Sequence, residues 1–262
     1  MPADKITART NEQVKLVKRL QRRKHREQTG LFSIEGVRIV EEALPTGLIR
    51  TLFFSPKLLE SGRGESLLKK ALAADFPVYE CTEDVLGEMS QAVSAQGVLA
   101  VVEKPKWEFV PKGLFVVADE IQDPGNMGAL IRTSLAAGAA GLIVTEGSVD
   151  LYNPKVIRAT MGAVFYLPHW LYRRKEAVKV LKEGGIPIVA ADLVNAKDYY
   201  TVRYPQNMAV VIGNEARGVN RLFLKEASDT VKIPLIGPVE SLNASVAAGI
   251  LLYEILRQQR GI

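Results

Sequence analysis

Continuously apolar runs in the second half of the chain constrain its fold more than any other sequence feature. The runs lie within GLFVVADE, GLIVTE, IPIVAAD and MAVVIG, and segments of helical composition separate them. Strands that alternate apolar and polar residues have one face in water, whereas strands that are apolar throughout are buried on both faces. We therefore expect an α/β domain over residues 114–262, with a parallel sheet that helices cover on both sides.

The first part of the chain predicts a smaller α/β domain. The segments LFSIEG, TLFFS, FPVYECT and VLAVVE have the composition of strands, and a helix over VRIVEEAL should end at Pro45. A second helical stretch runs from Pro56 to Ala74. The later segment EKPKWEFVPKG has two prolines and no sustained period, which is typical of a linker. The predicted division is a domain at residues 1–105, a linker at 106–113 and the sheet domain at 114–262.

Basic residues are concentrated at the start of the chain. Residues 1–28 contain nine Lys and Arg side chains against three acidic ones, in a protein whose net charge is +5. Leu16 and Leu20 place part of this segment on an amphipathic helix. Such a cluster is the electrostatic footprint expected for phosphate binding, and a solvated helix face is the alternative interpretation. The nine side chains are Lys5, Arg9, Lys15, Lys18, Arg19, Arg22, Arg23, Lys24 and Arg26.

Several classes of chemistry have no support in the sequence. Neither HExxH, GxxxxGK[ST] nor GxSxG occurs, and the single cysteine, Cys81, excludes an intramolecular disulfide and a cysteine-rich metal cage. We therefore expect no metal. His25 and His169 are expected on the surface or in turns rather than in a catalytic pair. No run of about 18 apolar residues exists, and the start MPADKITARTNEQ lacks a secretory signal, so we expect a cytoplasmic protein without a membrane span.

Three loops that directly follow predicted strands are the candidates for a ligand site, because α/β sheets bind ligands at the carboxyl ends of their strands. The first is DPGNMG, which continues into the helix ALIRTSLAAG, within residues 119–138. Gly125 and Gly128 allow the backbone to approach a ligand closely. Asn126 offers a donor and an acceptor, and Arg132 could hold a phosphate. A helix cap and a salt-bridged arginine are the alternative interpretation of these two residues.

The second and third loops carry further polar side chains. The second, GNEARGVN at 213–220, places Glu215 between two glycines. The third, IPLIGPVESLNASVAAGI at 233–250, brings Ser241 and Asn243 to the start of a long helix over SLNASVAAGILLYEILRQQR. Ordinary strand-to-helix turns and helix capping are the alternatives here.

Together the three loops resemble the signature motifs of the SpoU-type RNA 2′-O-ribose methyltransferases, which belong to the SPOUT superfamily. The matching segments are DPGNMGALIRTSLAAG, VVIGNEARGV and IPLIGPVESLNASVAAGILLYE, in the family's order and strand context. The segments VKRLQRRKHREQTGLFSIEGVRIVEEAL and SAQGVLAVVE resemble the family's small ribosomal-protein-like substrate-binding domain. The resemblance implies a deep trefoil knot, which sequence reasoning alone would never propose, and a homodimer.

The resemblance also implies a site. It assigns cofactor binding by backbone groups to Gly213, Ile233 and Leu242, with S-adenosylmethionine as the cofactor. It assigns the catalytic centre to Asn126, Arg132, Glu215, Ser241 and Asn243. Arg132 would activate the ribose hydroxyl, either as a base or, in the simpler hypothesis, as an electrostatic clamp, since a guanidinium is a poor base. Arg217 departs from the pattern of many relatives and adds bulk and charge beside the cofactor.

The implied function is methylation of a ribose 2′-hydroxyl in RNA, with ribosomal RNA preferred over transfer RNA. The alternative from another class is a catalytically silent, ribosome-associated RNA-binding protein of the same fold. A generic dinucleotide-binding enzyme is a third hypothesis, and the missing GxGxxG counts against it. The nucleotide that is modified stays open at this point, as does the choice between a housekeeping and an antibiotic-resistance role.

Overall fold

The computed structural model describes residues 4–91 and 96–261, which form two compact units. The first unit contains the chain up to Lys106 together with Asp150–Phe165. The second unit contains Trp107–Val149 and the chain from Tyr166 onward. Ser94 and Ala95 of the SAQGVLAVVE segment lie outside the described residues, as do the first three residues and the last residue of the chain.

The first unit is built on a mixed sheet, which among the described residues has five strands in the order β1-β4-β3-β5-β2. β1, β4 and β3 run parallel, and β5 pairs antiparallel with both β3 and β2. This sheet confirms the small α/β domain. The strands are Asp4–Ile6 (β1), Leu31–Glu35 (β2), Ile49–Phe54 (β3), Val78–Cys81 (β4) and Val98–Glu103 (β5).

The helices of the first unit are shorter than the sequence pattern predicted. The stretch from Pro56 to Ala74 is interrupted, because the Ser61 side chain accepts a hydrogen bond from the Gly64 amide and starts a new helix there. A 3₁₀ helix, Pro56–Glu60, precedes it. The helices are Glu12–Leu20 (α1), Arg23–Thr29 (α2), Val37–Ala43 (α3), Gly62–Leu72 (α4), Glu83–Met89 (α5) and Pro154–Thr160, which is α7 in chain order.

The segment Asp150–Phe165 belongs to the first unit, whereas the predicted division placed it in the domain 114–262. Its aromatic side chains pack on Phe32, with ring centroids 4.7 Å from Tyr152 and 6.2 Å from Phe165. Asp150 also forms an ion pair with the buried Arg26. These contacts are made by residues far apart in sequence, so composition gave no sign of them.

The second unit confirms the parallel α/β sheet. Among the described residues it has seven strands in the order β10-β12-β9-β11-β6-β7-β8, and every recorded pair is parallel. All residues of β6 and β11 are buried, as expected for strands that are covered on both faces. The strands are Leu114–Ala118 (β6), Gly141–Thr145 (β7), His169–Tyr172 (β8), Ile188–Ala191 (β9), Lys197–Asp198 (β10), Met208–Ile212 (β11) and Asp229–Lys232 (β12).

The strand order places two of the candidate loops side by side. From β6 the chain adds β7 and β8 on one side, and the later strands lie on the other side, with β11 next to β6. Ligands bind at such a switch point in open α/β sheets. The helices are Pro124–Ala136 (α6), Arg174–Glu183 (α8), Arg221–Glu226 (α9) and Ala244–Arg260 (α10). The trefoil knot stays a prediction.

Neither unit offers a membrane crossing: in the described part of the chain, no helix combines the length and the apolar character that one requires.

Candidate active site

The loop after β11 is closed on itself by backbone hydrogen bonds. The amide of Asn214 donates to the Gly218 carbonyl at 3.0 Å, and the Gly218 amide donates back at 2.9 Å. A Cβ atom on Gly213 would lie 2.2 Å from the Gly218 carbonyl carbon and 2.3 Å from the Val219 nitrogen. Only glycine therefore fits at position 213 without moving the backbone opposite.

Asn214 holds this loop from inside, and sequence reasoning did not single it out. It is buried, and its side-chain oxygen accepts hydrogen bonds from the amides of Ala216 and Arg217, each at 3.0 Å. Its side-chain nitrogen donates to the Glu120 carbonyl at 2.9 Å. An asparagine directly after the first glycine of a loop is typical of such turns and was the available signal.

A chain of hydrogen bonds joins the three candidate loops. The side-chain nitrogen of Asn126 donates to Glu215 Oε1 at 2.9 Å, and its oxygen accepts from the Asn243 side-chain nitrogen at 2.8 Å. A carboxylate can only accept, so the amide orientation of Asn126 is fixed by Glu215. The structure thus brings together three of the five residues that the resemblance assigned to the catalytic centre.

Helix ends explain how these side chains are presented. The helix α6 begins at Pro124, so DPGNMG forms its first turn rather than a separate loop as predicted. Asp123 is its N-cap, which corrects the alternative that Asn126 caps this helix. The Glu215 carboxylate faces the same helix N-terminus, where negative charge is stabilised. Asn243 does cap α10, as the alternative interpretation stated, through the amides of Ser245 and Val246.

Arg132 is placed apart from this hydrogen-bonded chain. It lies on α6 about 9 Å along the helix axis from Asn126 and roughly 120° around it. Its side chain is exposed and forms no hydrogen bond or ion pair with any residue that the structure describes. The guanidinium is consequently available to an anionic partner.

An open cleft of about 1300 Å³, part of it continuous with solvent, lies beside the loops after β9, β11 and β12. The three predicted cofactor residues Gly213, Ile233 and Leu242 line it, and so do Glu215 and Ser241. Asn126, Arg132 and Asn243 lie outside the lining that the described residues form.

Sequence reasoning missed one wall of the cleft. The loop after β9 contributes Asp192, Leu193 and Val194 to the lining, and the Val194 residue is 68% exposed. Exposed apolar residues of this kind are available to cover a flat, apolar ligand surface. The strand in IPIVAAD was predicted, and the loop at its carboxyl end could have been included among the candidate ligand loops for the same reason as the other three.

A charged cluster beside the loop 213–218 was also missed. Arg174, at the first residue of α8, donates to Asp119 Oδ1 and to Glu120 Oε2, each at 2.7 Å. Burial lowers the pKa of Arg174, but its hydrogen bond and charge interaction with Asp119 outweigh this, so the pKa lies above its usual value. Asp119 and Glu120 directly follow the buried strand β6, and this position could have marked them as candidate site residues. No feature of the sequence marked Arg174 in the same way.

The histidine and cysteine positions do not add a catalytic group. His169 lies buried in β8, which corrects the expectation of a surface or turn position, and burial lowers its pKa. Burial raises the pKa of the Cys81 thiol to about 12, so it is not a nucleophile at neutral pH. Among the described residues, no group of three or more His, Cys, Asp or Glu side chains is arranged to hold a metal ion.

The chain matches two known protein families, one in each half. Residues 113–253 match the SpoU rRNA Methylase family, and residues 11–100 match the MRM3-like substrate binding domain. The chain is similar to the 23S rRNA (guanosine(2553)-2′-O)-methyltransferase RlmP of Bacillus subtilis (strain 168). Identity is 30% over 251 residues, which cover 95% of this chain and 98% of that protein.

Two further similarities extend along nearly the whole chain. The 23S rRNA (uridine(2479)-2′-O)-methyltransferase of Streptomyces viridochromogenes is 32% identical over 276 residues, covering 98% of this chain and 93% of that protein. The crystal structure of an AdoMet-bound rRNA methyltransferase from Sinorhizobium meliloti has 31% identity and a TM-score of 0.86, covering 98% of each chain. The resemblance seen in the three loops is confirmed. The protein therefore belongs to the SpoU rRNA methylase family.

Proposed function

We propose that this protein transfers the methyl group of S-adenosylmethionine to a ribose 2′-hydroxyl of ribosomal RNA. The observation that carries the proposal is the hydrogen-bonded chain Glu215–Asn126–Asn243, because it joins all three family motifs at one edge of the sheet. Both curated relatives described above are named 23S rRNA 2′-O-methyltransferases. The match to an MRM3-like substrate binding domain supports RNA as the substrate class.

The cleft fits S-adenosylmethionine in size and in chemistry. Ligand sites commonly enclose about 300–1,000 Å³, and this open cleft of about 1300 Å³, part of it continuous with solvent, has room for a ligand of that class. The backbone at Gly213, Ile233 and Leu242 would supply polar contacts, and Leu193 and Val194 would cover the flat base. The tight approach at Gly213 leaves no side chain in the way.

Gly213→Ala should weaken cofactor binding about tenfold or more, because the new methyl group would push apart the closed loop 213–218. Isothermal titration with S-adenosylmethionine measures the dissociation constant directly. Gly62→Ala is the matched control, since Gly62 lies outside the three candidate loops and a Cβ atom there meets no described atom within 4 Å. Equal affinity of the Gly213→Ala variant and the wild type would contradict the assignment of the cleft.

The chain's own residues orient the RNA, and the 2′-hydroxyl proton is released to solvent. When bound, S-adenosylmethionine supplies an electrophilic methyl group, so much of the rate comes from alignment of the 2′-oxygen. Arg132 holds the phosphate of the target nucleotide and stabilises the developing negative charge on the ribose oxygen. Glu215 and Asn126 fix the β6 and β11 loops against each other, and Ser241 and Asn243 shape the third side of the site.

Transfer of labelled methyl from S-adenosylmethionine to total RNA tests the reaction. The expected product is a labelled dinucleotide that resists alkaline hydrolysis, because a 2′-O-methyl group removes the hydroxyl that attacks the neighbouring phosphate. RNA binding without incorporation of label would favour the catalytically silent ribosome-associated protein instead.

Most basic side chains at the start of the chain form ion pairs with acidic side chains, which composition alone did not predict. Only Arg19, Arg22 and Lys24 of the nine side chains are exposed and form no ion pair with the residues that the structure describes. The other six form the ion pairs Lys5–Glu80, Arg9–Glu88, Lys15–Glu12, Lys18–Glu88, Arg23–Glu27 and Arg26–Asp150. The phosphate-binding footprint in this segment is therefore narrower than predicted, and we assign it to the three free cations.

Replacement of Arg19, Arg22 and Lys24 by glutamine should weaken binding to a ribosomal RNA fragment about tenfold or more at ~0.1 M salt. The slope of log K against log salt concentration should fall by about 2, because fewer counterions are released. Fluorescence anisotropy across a salt series measures both quantities.

The matched control for this triple variant replaces Lys5, Lys15 and Arg23 by glutamine. The net charge changes equally, but these side chains already face carboxylates, so a smaller loss of affinity is expected. Equal losses in the two triple variants would show that net charge alone matters and that the three free cations have no special part.

We further propose a homodimer that acts in the cytoplasm, where ribosomal RNA is found. An exposed apolar pair on α10 supports self-association, since Val246 and Tyr253 lie two turns apart on one helix face and are 51% and 52% exposed. Sedimentation at micromolar concentration distinguishes a dimer from a monomer. The first unit would serve as the substrate-binding domain and the second as the knotted catalytic domain.

A further inference from the structure

One buried carboxylate, that of Asp119, forms hydrogen bonds that join the carboxyl ends of β6, β7 and β11. Asp119 is 1% exposed and accepts hydrogen bonds from Arg174, from the Thr145 hydroxyl at 3.0 Å and from the Asn220 amide at 2.8 Å. Arg174 comes from a different part of the chain, at the start of α8, and none of the three family motifs includes it. The cluster therefore ties the loop that precedes α6 to the loop that follows β11.

Glu120 has a backbone conformation that a glutamate rarely adopts. Its φ angle is +61°, in the left-handed region that favours glycine and asparagine. Its amide donates to the Thr145 hydroxyl at 3.1 Å, which helps to hold the chain in this conformation. A glutamate at a strained backbone position points to a use for its side chain.

The Glu120 side chain connects the buried cluster to the cofactor loop. One carboxylate oxygen accepts from Arg174 at 2.7 Å, and the other forms an ion pair with Arg217. Arg217 lies in the loop 213–218 and lines the cleft. Glu120 is thus shared between the largely buried guanidinium of Arg174 and the exposed guanidinium of Arg217 on the cofactor loop.

We propose that Glu120, held by Arg174, is a positioning residue that acts through Arg217 to fix the loop 213–218 in its cofactor-binding shape. The inference rests on the proposed function and adds to it a role for Arg217, which lines the cleft. It gives that arginine an intramolecular partner. With the loop fixed, Glu215 faces Asn126 and the backbone at Gly213 lines the cleft.

Glu120→Gln tests the proposal with little change of shape. It removes the charge shared by Arg174 and Arg217 but keeps the buried pair of Arg174 with Asp119, so folding should be preserved. We expect the dissociation constant and the KM for S-adenosylmethionine to rise about threefold to tenfold, the range typical of residues that modulate a site indirectly. The kcat and the KM for RNA should change less than about twofold. A purely structural role would instead lower Tm and the active fraction, and leave KM unchanged.

Glu146→Gln is the matched control. Glu146 lies 3.5 Å from the same Arg174 guanidinium and accepts from the Arg174 amide, but it has no recorded contact with the loop 213–218 among the described residues. The variant makes the same charge change beside the same arginine, and cofactor affinity should match the wild type. Equal effects of Glu120→Gln and Glu146→Gln would overturn the proposal.

A double-mutant cycle with Arg217→Met tests whether Glu120 acts on the cofactor loop through Arg217. If Glu120 acts through Arg217, then Glu120→Gln should raise the dissociation constant less in the Arg217→Met background than in the wild type. The same fold increase in both backgrounds would overturn the proposal. These outcomes are separate from a failure of the proposed function, in which the wild-type protein itself would bind no S-adenosylmethionine or transfer no methyl group.

Discussion

Arg132→Ala should lower methyl transfer by about 10²–10³-fold while the dissociation constant for S-adenosylmethionine changes less than about twofold. Loss of a group that stabilises developing negative charge typically costs this much in rate. The cofactor should be little affected, because Arg132 lies outside the cleft lining that the described residues form. Single-turnover transfer to an RNA fragment, together with calorimetry of cofactor binding, measures the two quantities separately.

Arg221→Ala is the control for removal of an exposed arginine from the same unit, and it should retain wild-type turnover. Near-normal turnover of the Arg132→Ala variant would remove Arg132 from the catalytic assignment. A proportional loss of cofactor affinity in that variant would instead place Arg132 in the cofactor site.

Arg132→Lys separates the two roles that the sequence left open. A lysine keeps a positive charge but loses the planar fork that grips a phosphate bidentately. Partial activity, with RNA affinity reduced and the pH dependence of the rate unchanged, is expected for an electrostatic clamp. If Arg132 were the base, the substitution would shift the pH profile, because a lysine ammonium loses its proton in a different pH range.

Arg26→Met should lower the free energy of unfolding by about 3–5 kcal/mol, the usual effect of breaking a buried ion pair. The Arg26 side chain is 3% exposed, and its Nε lies 3.0 Å from Asp150 Oδ2. Its Nη1 donates to the carbonyls of Leu20 and Gln21 at 2.7 and 2.8 Å. The substitution leaves a largely buried carboxylate without its charge partner and removes both carbonyl contacts. Urea denaturation measures the change.

Arg23→Met is the matched control, three residues away on the same helix. Arg23 pairs with Glu27 at the surface, with both side chains 55% exposed, so a change below about 0.5 kcal/mol is expected. Asp150→Asn should also be strongly destabilising, since it leaves the Arg26 charge buried. A small effect of both Arg26→Met and Asp150→Asn would mean that Asp150–Phe165 is held to the first unit by its aromatic contacts alone.

The candidate loops show how far a site can be predicted from sequence. Each was identified because it follows a predicted strand, and the three strands are β6, β11 and β12. Of these, β6 and β11 are apolar and buried throughout, whereas β12 has the sequence DTVK. That Asn126 would contact both Glu215 and Asn243 did not follow from the sequence, because it depends on β11 lying beside β6. The assigned role of each site residue stays a prediction.

The exposure of the basic side chains, in contrast, could not be predicted from the sequence. Composition correctly located the basic side chains in the segment 1–28, but it could not say which of them would face water. Arg22 and Arg26 are four residues apart and chemically identical, yet one is exposed and the other is buried against Asp150. The difference arises from a partner 124 positions away in sequence.

The sequence by itself determined the parallel α/β class of the second unit, the places where its loops could bind a ligand, and the family. Hydrophobic period and motif spacing are local properties, so a short window of sequence contains them. Only the tertiary structure decided that Asp150–Phe165 joins the first unit, that most cations at the start of the chain are neutralised, and that Arg174 fastens Asp119 and Glu120. Each of these depends on residues that are distant in the chain and become neighbours only when strands pair and helices pack. Coulomb and hydrogen-bond interactions act over a few ångströms of space, whatever the separation along the sequence.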